Sequence, residues 1–301
     1  MAAENDEAVS GTGDLVALVN VHLVRYRFPP MGEMYAWAVV FFAIFLIGVT
    51  KSGFGSGVGL MIVPMTAISM GYISGRGSVA ALGLLLPLLV IGDFIAVYQY
   101  RRIFSLSIVK HLLPGTLVGV VLGGLLLWWF HQQRELVNAL MRIEIGFESI
   151  VLVGIHWWRQ YNGVQQHLMP EPWRSHSTGA FAGVSSTLAH AAGPIIAMYL
   201  LPLRLDRQVF VGTSAIYFFI LNSAKLPAYY LADQFANAKL PFTLQFVPLV
   251  AAGAVVGFCV NKRISDKLFS RIVYVLTFLM GWYILIDGTI ILIRRLLITG
   301  N

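Results

Sequence analysis

Charged residues are scarce in this chain: Asp, Glu, Lys and Arg supply 12% of its 301 residues, about half of what a soluble domain carries. With 57% hydrophobic residues and a mean hydropathy of +0.75, that scarcity excludes a soluble globular fold and leaves an integral membrane protein. Cysteine is nearly absent. Cys259, the one present, allows neither a disulfide within the chain nor a cysteine-based metal site, and its apolar setting suits a small packed hydrophobe. No Walker-type glycine loop occurs, which excludes ATP as the direct energy source. The seven histidines show no metal-ligand spacing, and nothing pairs a nucleophile with a base, so no metal, no cofactor and no enzyme activity are expected. The N-terminus carries Glu4, Asp6, Glu7 and Asp14 where a signal peptide would be basic, so no cleavage is expected. Nor does the formal charge of +7 imply nucleic acid: its residues stand in pairs beside apolar runs, as Arg101-Arg102, Lys262-Arg263 and Arg294-Arg295, where they orient helices in a membrane.

What the chain has in abundance is apolar length. Blocks recur at 35–70, 78–98, 112–130, 143–158, 178–202, 209–231, 242–260 and 272–293. Most match the ~20 residues that cross about 30 Å of hydrocarbon, giving an all-α integral membrane protein with about eight hydropathy peaks. Two blocks are interrupted. The run Lys51-Ser52-Gly53-Phe54-Gly55-Ser56-Gly57-Val58-Gly59 separates Tyr35–Thr50 from Leu60–Met70, each short of a full crossing. Backbone so free of side chains turns sharply and offers N–H groups to a ligand, and at membrane depth it survives only where protein or a wet cavity satisfies it. Ala189-His190-Ala191-Ala192-Gly193-Pro194 divides the fifth block in the same way, its proline suited to the start of a half-helix.

The breaks are related. Gly48-Val49-Thr50 and Gly183-Val184-Ser185 stand 135 positions apart, and Pro114, Gly119 and Gly123 recur as Pro248, Gly253 and Gly257, 134 positions on. An internal duplication follows: a first transmembrane repeat at 35–158, a connecting loop at 159–177 and a second repeat at 178–293. Tails at 1–34 and 294–301 flank them, and within the first, 15–28 suits either an interfacial helix or a disordered tail. If both broken blocks fold back as re-entrant hairpins, the halves run in opposite directions. Corresponding loops swap their basic bias, as an inverted pair requires, and paired interrupted segments in two such halves mark a transporter's central site.

The chain resembles the sulfite exporter TauE/SafE family of bacterial membrane transporters. The likeness rests on Gly53-Phe54-Gly55-Ser56-Gly57-Val58-Gly59 with Val63-Pro64, on Ala189–Pro194 with Tyr199-Leu200-Leu201-Pro202, on Phe210-Val211-Gly212-Thr213-Ser214, and on Asn222-Ser223-Ala224-Lys225-Leu226-Pro227. The resemblance implies a secondary transporter that exports a small sulfur-containing anion, sulfite or an organosulfonate, across the bacterial inner membrane. An anion channel, or a transporter of another small solute, is the alternative. The implied partners are the anion and the lipid bilayer, with a homo-oligomer open and no nucleic acid.

Candidate substrate-binding residues follow from what an anion needs. Half-helix N-termini supply N–H donors, which selects Gly53, Gly55, Gly57 and Gly193, unless these glycines serve close helix packing instead. Thr50, Ser52, Ser185 and Ser186 flank the breaks with hydroxyls, although such groups also bond back to their own helix. Thr213, with Ser214 beside it, and Asn222 lie in the next span. His190 stands beside the second break, where it binds anion, carries a proton or serves structure. Asp93 and Lys225 are ionisable groups at membrane depth in related places of the two repeats; they form a coupling or structural ion pair, or Lys225 binds substrate directly. Lys51 is read as a snorkelling residue at a helix end.

Overall fold

Apolar length becomes helix throughout the computed structural model, which describes residues 31–53, 62–74, 77–130, 134–163, 172–200, 203, 205–237, 240–261 and 266–299. The interfacial segment at 15–28, Gly55 and Gly57 lie outside the described residues. In chain order the helices are α1 (Met31–Gly53), α2 (Ile62–Ser74), α3 (Gly77–Tyr100), α4 (Leu106–Phe130), α5 (Arg134–Tyr161), α6 (Pro172–Ala189), α7 (Ala192–Leu200), α8 (Arg207–Leu231), α9 (Leu240–Leu244), α10 (Val247–Asn261) and α11 (Asp266–Thr299). No strand occurs among the described residues, so the chain is an all-α membrane protein. Among the described residues, five stretches are long and apolar enough to cross a bilayer: Gly32–Gly53, Ala80–Tyr100, Leu106–Trp129, Gln208–Leu231 and Pro241–Cys259. Leu117, Val121, Leu122 and Leu125 on α4 are exposed, and Trp128, Trp129, Trp158 and Trp173 are exposed near helix ends, where indole rings anchor in headgroups.

The first break differs from expectation in one respect. α1 is a 23-residue helix rather than a short arm, because Met31–Met34 and Lys51-Ser52-Gly53 extend the apolar run at both ends. Only the segment after the break is of half length: α2 has 13 residues and α7 has 9, roughly 20 and 14 Å of helix. At the second break the helix stops at Ala189 and resumes at Ala192, as the sequence suggests.

Glycine determines how the bundle closes. Along α4, Gly115, Gly119 and Gly123 repeat every four residues and meet α6: a methyl group at Gly119 would come 2.1 Å from the Ala180 carbonyl oxygen, and one at Gly115 would come 1.9 Å from that of His176. Across the same seam Gly179 and Gly183 face the carbonyl oxygens of Leu112 and Thr116. α1 and α10 meet likewise, with Gly48 against Val250 and Ala254, and Gly253 against Phe45 and Val49. The two seams share their details. Gly48 touches Val250, Gly253 and Ala254, while Gly183 touches Thr116, Gly119 and Val120, each partner 134 positions removed from its counterpart. α5 lies along α11, where Arg142 pairs with Asp287, and α3 packs against α8 at the centre.

Candidate functional site

α3 and α8 each bring a polar side chain into the apolar interior, and α1 and α6 approach them beside the two breaks. Asp93 on α3 and Lys225 on α8 are both fully buried. Such groups need partners at once, since an isolated charge in this setting is costly. Those partners are not each other. Asp93 Oδ1 lies 2.7 Å from Lys51 Nζ, and its Oδ2 accepts a hydrogen bond from Asn222 Nδ2 at 2.5 Å. The expected Asp93–Lys225 ion pair is therefore corrected: Asn222, one turn before Lys225 on α8, takes the side facing Asp93, and the cation comes from α1.

Lys225 points instead at the end of α6. Its ammonium donates to the Ser186 carbonyl oxygen at 3.0 Å and to Ser186 Oγ at 2.9 Å, and it lies 2.9 Å from His190 Nδ1. An ammonium has three donors, so all are engaged. His190 Nε2 lies 3.1 Å from the Leu82 carbonyl oxygen, which can only accept. The partners thus assign the proton to Nε2 and leave the Nδ1 lone pair for Lys225. A second proton on the ring would set two donors face to face, so Lys225 and His190 together hold no more than one positive charge.

The conformation of His190 makes this possible. Its φ is +54°, the left-handed region usually given to glycine at a helix end, and its N–H still bonds to Ser186 O at 3.0 Å. A side chain there costs roughly 1–2 kcal/mol, and the bonds to Leu82 and Lys225 offset it. Tyr229 completes the enclosure, donating to Thr187 O at 2.7 Å with its ring 5.7 Å from the imidazole.

These groups border a cavity of about 40 Å³, room for a few waters. Its polar wall comprises Thr50, Lys51, Ser186, His190, Ser214 and Asn222, and Gly193 contributes the first turn of α7, whose N–H groups lack intrahelical partners. Its apolar wall includes Leu89 and Phe218, and the Phe218 ring lies 4.4 Å beneath Lys51 Nζ.

Thr50, Ser186, His190, Gly193 and Asn222 are thus brought together as candidates. Others stand elsewhere. Gly53 sits at the α1–α10 crossing against Gly257, in the packing role, and Ser52 and Ser185 are buried outside the cavity wall. Thr213 Oγ1 accepts the Ser105 backbone N–H at 2.9 Å and so anchors the turn before α4, while its neighbour Ser214 faces the cavity. The Ser214 hydroxyl has no hydrogen-bond partner among the described residues. Thr50 Oγ1 bonds back to Ile47 O at 3.1 Å, the self-capping use of a helical threonine.

Lys51 is the residue that sequence reasoning undervalued. The available signal was its place directly before the glycine break. No cluster of His, Cys, Asp and Glu fit for a metal exists among the described residues.

The family described as Sulfite exporter TauE/SafE matches residues 40–284 of the chain. No curated protein matches it, and no solved structure does. With most of its length covered, the chain belongs to the sulfite exporter TauE/SafE family.

Proposed function

From that membership we propose that the protein is a gradient-driven carrier that exports a small sulfur-containing anion, sulfite or an organosulfonate, across a bacterial inner membrane. The observation that carries this reading is the charge balance of the cavity. With Lys225 protonated, Lys51 and the Lys225–His190 pair supply two positive charges against the single carboxylate of Asp93, and the site is then one negative charge short. At membrane depth, that deficit favours an anion. Hydroxyls at Ser186 and Ser214 suit sulfonyl oxygens. Because Ser186 Oγ accepts from Lys225, its own proton is free to turn toward the cavity, relaying the lysine's charge without a direct contact. Among the described residues, the wall holds no cluster of acceptors that would favour a cation.

The test is flux. The protein reconstituted in liposomes is offered sulfite, sulfoacetate, sulfate and chloride, with and without a pH gradient. Saturable movement of a sulfur anion supports the reading. Transport of another solute with none of the sulfur anions above background overturns the substrate class, and unsaturable flux indicates a channel.

A further inference from the structure

The two lysines of this site are not equally free to greet an anion. Lys225 has its three donors occupied. Lys51 does not: among the described residues its ammonium bonds to Asp93 alone, and it lies at the cavity wall with its side chain 14% exposed. The carboxylate it neutralises is 0% exposed. An incoming anion and Asp93 therefore compete for one ammonium. We propose that anion binding at Lys51 is coupled to protonation of Asp93, so that one proton is taken up with each anion. This rests on the carrier reading above and adds its coupling ion.

When Lys51 turns from Asp93 to the anion, Asp93 retains only the Asn222 amide at 2.5 Å, and a buried carboxylate without its cation is strongly disfavoured. Among the described residues no other cation stands ready to take over. Of the helices packed on α3, α2, α9 and α10 carry no Asp, Glu, Lys, Arg or His. From α8 the facing groups are Asn222 and Lys225, and the latter is held by Ser186 and His190. A proton from solvent, bound at Asp93 Oδ1, removes the orphaned charge. For a monoanion the exchange leaves the net charge of the site unchanged, because the added proton and the added anion cancel. Return of the proton to solvent restores the carboxylate, which recaptures Lys51 and expels the anion. With this sign an inward proton gradient drives uptake, so export requires the anion's own outward gradient to exceed the pH difference.

The experiment uses the full-length protein in nanodiscs and methanesulfonate, whose own charge is fixed at neutral pH. Titration calorimetry in buffers of differing ionisation enthalpy is expected to give uptake of about one proton per anion, and affinity is expected to weaken about tenfold per unit rise in pH. Asp93→Asn frees Lys51 and is expected to abolish both effects, its anion affinity no longer varying with pH, whereas Lys51→Ala is expected to lose binding. Binding without proton uptake in the unmodified protein overturns the coupling and leaves the carrier reading standing. Retention of the pH slope in Asp93→Asn overturns it too. Proton-linked binding of chloride but not methanesulfonate supports the coupling and overturns the sulfur assignment, and absence of any anion binding overturns both.

Discussion

Replacing Gly119 by alanine adds one methyl group, and its effect can be worked out from the α4–α6 seam. The methyl carbon would stand 2.1 Å from the Ala180 carbonyl oxygen, 2.9 Å from its carbon and 3.0 Å from its Cα. All three are backbone atoms of a helix, so no side chain can swing away. Van der Waals contact requires about 3.5 Å, so the helices must part by more than an ångström, breaking the neighbouring contacts of Gly115 and Gly123. Overpacking of this kind costs roughly 1–3 kcal/mol. Gly154 on α5 has nothing within 4 Å of the position of an added methyl group. Alanine there is expected to be neutral or to stabilise by about 0.5–1 kcal/mol through helix propensity. The assay is thermal unfolding of both variants and the unmodified protein in one detergent, followed by tryptophan fluorescence. A Gly119→Ala protein that melts with the unmodified one, or no better than Gly154→Ala is harmed, refutes the close-packed seam.

Lys225→Ala is expected to lower stability, because Ser186 O, Ser186 Oγ and His190 Nδ1 each lose a buried donor at about 1–3 kcal/mol apiece; adding Asp93→Asn is expected not to restore it, and recovery of melting temperature in the double variant would show that Asp93 and Lys225 are partners after all. Thr213→Val removes the acceptor for Ser105 N–H and is expected to reduce stability by about 1 kcal/mol with anion affinity unchanged, whereas Ser214→Ala is expected to lower affinity with stability unchanged; interchanged effects, read by melting and calorimetry, contradict the placement of the two side chains. For the loops carrying Arg101-Arg102 and Lys262-Arg263, a cytoplasmic location predicts that single cysteines at 102 and 263, in a Cys259→Ser background, resist an impermeant reagent on intact cells; rapid labelling at either position contradicts it.

The helical class, the second break and the polar residues beside it were legible in the sequence, because hydropathy, proline and glycine are local signals. Hydropathy also placed Asp93 and Lys225 at depth. Their pairing was not legible. Related positions in two repeats invite a direct ion pair, but Asn222 and Lys225 lie one turn apart on nearly the same side of α8, about 60° from each other, so spacing alone does not say which of them meets α3. Lys51 was misjudged for a similar reason: a lysine at the end of an apolar run reads as snorkelling to water, and only the approach of α3 reveals the carboxylate waiting for it. The glycines divide the same way. Spacing of four along α4 announces a helix seam, yet nothing in the sequence says that its partner is α6.

That choice of partner has a consequence for how the chain is made. α1 leaves the ribosome early, but the surface that fits its Gly48 groove belongs to α10, about 200 residues later, which at 5–20 residues per second is a wait of roughly 10–40 s. Through that interval a small-residue groove lies open in the bilayer, a surface on which membrane helices readily dimerise. α6 has no such wait, since α4 is already in place when it emerges. α1 therefore spends this interval vulnerable to the wrong neighbour, and a chaperone or insertase that shields one glycine face would matter for α1 and not for α6.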